Sequence, residues 1–309
     1  MITTFDLIII GAGPAGLSAA LQALRAGLNV LIVEKESTGG TINYTDTINN
    51  YLGFPQITGF DLSNKMMDHI SELGAKVIFG EATKAFLKDE IKKVIVEVGL
   101  HFQEFISKSV IIATGLIHKK LECNGSNLLG VSNCALCDGI LHQGENVAVV
   151  GGGNSAAESA LYLSNLCDDV SLIVRKPVLS CDPIYEKQIK QKNNINVFLN
   201  HEIKEIKGNK QVEEIEFKGG KESLNVTGVF INIGQEPRAN IFEGVGIDEK
   251  GYFISDEKMQ TNLEGVFVAG DCVAKELRQI VTAVSDGAFA SYSAIKFLQS
   301  KYVDVCEKI

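Results

Sequence analysis

Several things are scarce in this sequence, and each scarcity closes off a class of function. Positive charge is short: 29 Lys and Arg face 38 Asp and Glu, for a formal net charge of −9 and a pI near 5.2. A surface of that sign repels phosphates, which argues against a nucleic-acid or anionic-membrane partner. No apolar run reaches the roughly 18 residues that a membrane span needs. The amino terminus, Met1 to Asp6, has no basic region ahead of its short apolar strand, unlike a signal peptide. A cytoplasmic location is the expectation, and the Asn-x-Ser/Thr matches beginning at Asn43, Asn124 and Asn225 then read as chance.

Paired cysteines and grouped histidines are scarce too. Seven cysteines, an odd number spread along the chain, do not form a disulfide framework. Cys123, Cys167, Cys181, Cys272 and Cys306 stand alone and read as small apolar side chains. His69, His101, His118, His142 and His201 follow no metal-ligand spacing; surface positions and no bound metal are expected. Only Cys134 and Cys137 are spaced to bond to one another.

What is present begins with length. A chain of 309 residues, 45% hydrophobic and 22% charged, has the composition of a globular protein and room for two ordinary domains. It also contains one pattern twice. Residues 5–34 read FDLIIIGAGPAGLSAALQALRAGLNVLIVE, and residues 145–174 read ENVAVVGGGNSAAESALYLSNLCDDVSLIV. Each is an apolar strand, a Gly-rich turn, an Ala-rich helix and a second apolar strand, hence a βαβ unit.

The turns carry Gly11, Gly13 and Gly16 in the first copy, and Gly151, Gly153 and Ala156 in the second. The first Gly makes the turn, the second lets backbone approach a pyrophosphate, and the third small residue lets helix pack on strand. The pyrophosphate then meets the free N–H groups of the helix amino terminus. One such match is weak; two, each in the right strand-turn-helix context, predict an α/β protein with two Rossmann-like, three-layer dinucleotide domains.

The end of the second strand reports on the nucleotide. Glu34, 23 residues after Gly11, offers a carboxylate to a ribose and suits FAD or NAD. Its counterpart is Val174, followed by Arg175 and Lys176, whose charges suit the 2′-phosphate of NADP better than a bare hydroxyl. SVIIATG (109–115) and GVFVAGD (265–271) read as strands that complete the first domain, with a helix over 277–298. Residues 1–115 and 239–309 are therefore expected to form one discontinuous domain, with 116–238 inserted into it.

Cys134-Ala135-Leu136-Cys137-Asp138 heads the insert. A CxxC pair closes a small disulfide ring, and its thiolate is the nucleophile of thiol–disulfide exchange. Asp138 stands ready to relay the departing proton. Half a zinc site and a purely structural bridge are the other readings. The zinc reading lacks a second pair, with only Cys123 and His142 near in sequence.

The chain resembles the low-molecular-weight thioredoxin reductases along essentially its whole length. The likeness runs through GAGPAG, NNYLGFP (49–55), ATG, CxxCDG, GGGNSA, IGQEP (233–237), AGD and RQI, in family order. It implies a homodimer of subunits with an FAD domain and an inserted NADPH domain that swivels. It implies that Cys137 faces the flavin, Cys134 attacks a thioredoxin-like disulfide and Asp138 is the acid/base. FAD would be held by Gly11, Gly13, Pro14, Ala15, Gly16, Glu34, Lys35, Gly40, Thr41, Asn50, Ala113, Thr114, Gly115, Gly270, Asp271, Arg278, Gln279 and Ile280. NADPH would be held by Gly151, Gly153, Asn154, Ser155, Ala156, Arg175 and Lys176.

Three departures stand out. The family's HRRxxxR, which grips the 2′-phosphate, is VRKPVLS here (174–180), so Val174 and Ser180 offer a phosphate nothing. Leu136 fills a position that is commonly Thr, and Thr41 one that is often Gln. NADPH stays the favoured donor, ferredoxin the alternative, and a flavin-dependent dithiol oxidase or a non-enzymatic binding module the more distant readings.

Overall fold

The computed structural model describes residues 3–45, 47–220 and 222–306, with the side chains of residue 3 and of 302–306 outside that description. Met1 and Ile2 of the amino-terminal reading and the side chain of Cys306 therefore lie beyond it. The chain divides into two compact units: Met1–Ile117 with Glu236–Ile309, and His118–Gln235.

The first unit is built on a parallel sheet in the order β3 (Lys76–Phe79), β2 (Val30–Glu34), β1 (Thr3–Ile10), β6 (His101–Ile112), with β17 (Val266–Val268) also pairing with β6. β6 is long because it serves two sheet directions. Its second half runs parallel to β1, and its first half runs antiparallel to β5 (Lys92–Val98), which carries β4 (Glu81–Phe86) at the edge.

Side-chain alternation distributes the apolar runs over both faces, as a parallel sheet covered on both sides requires. Leu7, Ile9, Val30, Ile32, Ile111 and Phe267 point to one face. There they meet the alanines of α1 (Pro14–Arg25) and of α6 (Ile280–Cys306). Ile8, Ile10, Leu31, Val33, Val110 and Ile112 point to the other, against Val94, Phe105, Phe242 and Phe253. Met66 and Met67, on α2 (Gly59–Ser71), pack against the first of these cores.

The second unit is a five-stranded parallel sheet ordered β11 (Ile195–Leu199), β10 (Asp169–Val174), β9 (Asn146–Val150), β15 (Gly228–Ile231), β8 (Val131–Ser132). One face carries α4 (Asn154–Leu163) and α5 (Pro183–Lys190), whose Ala156, Ala157, Ala160 and Ile189 meet Val147, Val149, Leu172 and Phe230. The other face is covered by a three-stranded antiparallel sheet, β12 (Ile203–Lys207), β13 (Glu214–Phe217) and β14 (Leu224–Asn225), through Ile203, Ile206, Ile215 and Phe217. The chain crosses between units through two strands, β7 (Leu116–His118) and β16 (Gln235–Pro237), that pair as a short ribbon.

The architecture is α/β, with a Rossmann-like unit on each side of the division. One local expectation shifts. The helix expected over 277–298 starts at Ile280, because Arg278 turns back to donate to the carbonyls of Asp271 (3.1 Å) and Val273 (3.2 Å). Cys137 lies on α3 (Ala135–Asp138), a helix of a single turn that Cys134 caps. Among the described residues no helix is long and apolar enough to cross a membrane, and no three His, Cys, Asp or Glu side chains group as metal ligands.

Candidate active site

In the first unit the turn after β1 is built so that only glycine serves at two of its positions. Gly11 has φ +106°, and a Cβ there would lie 2.3 Å from the carbonyl oxygen of Ala113 on the neighbouring strand end. A Cβ at Gly16 would lie 1.9 Å from the Gly11 oxygen. Gly13 is different: nothing approaches its Cβ direction more closely than the Gly39 oxygen at 3.9 Å. It caps α1 with no side chain bonded to the helix amides, so the helix end is open to an anion.

Glu34 ends β2 almost wholly buried and receives two main-chain donors, Ala12 N on Oε2 (2.7 Å) and Glu36 N on Oε1 (2.9 Å). Lys35 points away to pair with Glu81 (3.5 Å). Gly40 has φ +56°, and a Cβ there would lie 3.5 Å from the Gly13 Cα; Thr41 follows it in a short 3-10 helix, Gly40–Tyr44.

Around the same turn two buried side-chain oxygens have no partner, Thr114 Oγ1 and Asp271 Oδ1. Burial pushes the Asp271 carboxyl up, with Lys275 and Arg278 pulling the other way. Buried polar atoms are seldom left orphaned, so such a pair marks where a polar ligand supplies the missing bonds. Asn50 Nδ2 donates to Gln279 Oε1 (2.9 Å), joining residues 229 positions apart just ahead of Ile280. The guanidinium of Arg278 stacks 4.2 Å from the Tyr252 ring. Gly115 (φ +58°) and Gly270 (φ +85°) make the turns at the ends of β6 and β17.

Sequence reasoning passed over the supports of this cleft. Asp286, buried in α6, accepts from Gly270 N (3.1 Å) and from Lys275 (2.5 Å), fixing the turn that presents Asp271. Gly287 lets α6 touch α1, since a Cβ there would be 2.0 Å from the Ala15 oxygen. Neither belongs to a motif, and their partners are remote in sequence.

The second unit repeats the turn. Gly151 has φ +143°, and its Cβ would lie 2.2 Å from the Asn232 oxygen. Gly153 caps α4 with open space around it and no side-chain cap, and Asn154, Ser155 and Ala156 form the first turn. A pyrophosphate fits this cradle. Arg175 and Lys176 are exposed just beyond β10 and offer charge for a further phosphate. Ser180 is committed elsewhere: its N–H donates to the Gly152 oxygen (2.7 Å) and its hydroxyl to the same atom (3.1 Å). Asn154 and Asp182 exchange two hydrogen bonds, at 2.9 and 2.8 Å, pinning the same loop.

The cysteines are bonded. Cys134 and Cys137 form a disulfide with Cα atoms 5.3 Å apart, inside the range for an ordinary bridge. Cys137 is exposed and Cys134 half-buried; Leu136 between them is half-buried. The Cys137 N–H donates to the Cys134 sulfur (3.1 Å), and Asp138 N to the Cys134 oxygen (3.2 Å). The Asp138 carboxylate accepts from Ser132 Oγ at 2.6 Å. Of the remaining cysteines, Cys123, Cys167, Cys181 and Cys272 are free, and burial pushes the Cys272 thiol up to about 11.

His118 is exposed at the end of β7, as expected, and desolvation pushes its pKa down. Two histidines depart from the expected surface positions. His201 is half-buried, its ring centroid 4.9 Å from that of Phe217. His142 is half-buried against Phe230, ring centroids 5.7 Å apart, with Nδ1 3.1 Å from Thr227 Oγ1. Burial pushes its pKa down, against the pull of Asp138 and Glu145.

The chain matches the family described as pyridine nucleotide-disulphide oxidoreductase over residues 5–287. It is 38% identical to a thioredoxin reductase of Listeria innocua, over 96% of this chain and 94% of that one. Among solved structures it superposes on Lactococcus lactis thioredoxin reductase in the FR conformation with a TM-score of 0.85 and 38% identity, covering 96% and 99% of the two chains. A ferredoxin-flavin thioredoxin reductase from Clostridium acetobutylicum is also similar, at 27% identity and a TM-score of 0.56, over 97% and 100%.

Proposed function

This chain belongs to the pyridine nucleotide-disulphide oxidoreductase family, and from that premise we propose that it is a thioredoxin reductase whose Cys134–Cys137 bond is the redox centre. It is an FAD-dependent oxidoreductase. The observation that carries the proposal is the closed Cys134–Cys137 disulfide, with the Asp138 carboxylate hydrogen-bonded beside it, in a chain where the buried Thr114 Oγ1 and Asp271 Oδ1, beside the first dinucleotide turn, have no hydrogen-bond partner.

FAD, when bound, supplies a carrier that takes an electron pair from a donor and gives it to a disulfide. The residues around the first turn do the holding. Gly11 and Gly13 let the main chain approach the pyrophosphate, Glu34 stands at the ribose, and Thr114 and Asp271 give the polar chain of the cofactor the partners they themselves lack. Asn50 and Gln279, already bonded to each other, form one polar edge as a unit.

Opening the Cys134–Cys137 bond with two electrons produces two sulfurs that take up two protons. Asp138 is the acid that delivers one of them and later removes it. Cys134 attacks the disulfide of a thioredoxin-like protein, and Cys137 then displaces the reduced partner by closing the bond again.

NADPH is the electron donor in the leading reading, supported by the open end of α4 at Gly153 and by Arg175 and Lys176. Mixing the FAD-loaded protein with NADPH without oxygen is expected to bleach the flavin promptly, and oxidised thioredoxin is expected to restore its colour. A second reading has ferredoxin as donor. It is favoured by Ser180, bonded to Gly152 where the family places a phosphate-gripping arginine. No bleaching by NADPH, together with bleaching by reduced ferredoxin, would select it.

We further propose a homodimer formed through α6. Its outer face exposes Phe289 (54%) and Tyr292 (60%), with Val281 about two to three turns before them, an apolar stripe that a lone subunit leaves in water. A reducing, cytoplasmic setting agrees with the four free cysteines among the described residues.

A further inference from the structure

Ser132 is the last residue of β8, the edge strand of the second unit's sheet, and its main chain is held in register opposite Phe230 of β15. Its hydroxyl is fully committed. The single proton goes to Asp138 Oδ2 at 2.6 Å, and the oxygen accepts the Cys134 N–H at 2.9 Å; the Cys134 carbonyl, at 3.4 Å, is too far to compete for that proton. One hydroxyl therefore ties the Asp138 carboxylate to the main chain of Cys134. The Asp138 N–H closes the loop by donating to the Cys134 oxygen at 3.2 Å.

We propose that Ser132 is a positioning residue for the disulfide reaction, acting through Asp138. The inference rests on the functional reading above. A carboxylate that must hand a proton to a sulfur needs a fixed direction, because proton transfer falls away with misalignment. Asp138 lies at the end of a helix of one turn, which by itself fixes that direction poorly. Ser132 supplies the anchor from a strand whose own position is set by the sheet. The hydroxyl exchanges no proton itself: it gives its hydrogen to the carboxylate whether Asp138 carries a proton on its other oxygen or not. A bland alternative is that Ser132 only makes a turn, holding the amide two residues on. The two differ in one respect: a turn-maker matters whether or not residue 138 is an acid.

The test is a double-mutant cycle on the FAD-loaded full chain, made with Ser132→Ala, Asp138→Asn and the pair together. The readout is kcat and KM for oxidised thioredoxin. Ser132→Ala is expected to lower kcat about ten- to a hundredfold, the loss of one charge-assisted hydrogen bond, with KM nearly unchanged. In the Asp138→Asn background the same change is expected to cost less than about twofold, since coupled residues are not additive. Ser132→Thr keeps the hydroxyl and should recover most of the rate; Ser132→Val, its isostere, should not, and this pair decides should the alanine variant not fold. An equal cost of Ser132→Ala in both backgrounds, or a wild-type kcat in the valine variant, overturns the proposal. A wild type that reduces no thioredoxin overturns the functional reading itself, and this inference with it.

Discussion

Cys134 and Cys137 are the only described cysteines that are bonded, and beside four described free thiols that selectivity comes from geometry. Changing either to Ser is expected to abolish thioredoxin reduction while the purified protein keeps its flavin colour; loss of the colour as well would mean that the pair is structural. Asp138→Asn keeps the Ser132 partner but removes the acid. A fall in kcat of about a hundredfold or more is expected, measured at fixed pH with saturating thioredoxin. At this scale the sequence is legible where spacing alone carries the meaning. Two cysteines three apart announce themselves. Ser132 does not, because a serine two residues before a cysteine is common, and its importance lies in a contact with Asp138 that folding creates. Thr114 and Asp271 are named by the family likeness, but the unmet hydrogen bonds of their side-chain oxygens show only once folding buries them.

Among the elements, both βαβ units could be read directly, because strand and helix periodicity and the glycine positions agree with one another. The antiparallel layer of β12, β13 and β14 is hard to read, since its strands are short and charged residues interrupt them, as in IKEIK and EIEF. The contact between α1 and α6 was also illegible: Gly287 sits in the middle of a helix, where glycine ordinarily reads only as a weak point. Gly287→Ala sets a methyl 2.0 Å from the Ala15 oxygen, so the helices must separate. A loss of about 1–3 kcal/mol in unfolding free energy is expected, measured by urea denaturation. Gly11→Ala meets both an unfavourable φ of +106° and the Ala113 oxygen at 2.3 Å. Its expected result is protein purified without flavin, read from the visible spectrum; full flavin occupancy would count against the first turn as the FAD cradle.

For the whole molecule, the acidic surface and the apolar stripe of α6 lead to different expectations. The net charge of −9 discourages binding to other acidic surfaces, and in the proposed homodimer the stripe would be buried against a second copy. Tyr292→Glu is expected to convert a dimer to a monomer in analytical ultracentrifugation, with little change in the spectrum of the bound flavin. The claim beneath all of this is that one chain holds two electron-pair carriers, the flavin and the Cys134–Cys137 bond, in exchange with each other. Anaerobic titration of the FAD-loaded protein with dithionite, followed by flavin absorbance, tests it most directly. The wild type is expected to consume one electron pair for the flavin and one for the disulfide before bleaching is complete, and Cys137→Ser only the first. A wild type that bleaches fully with a single electron pair, its disulfide intact, would contradict the assignment.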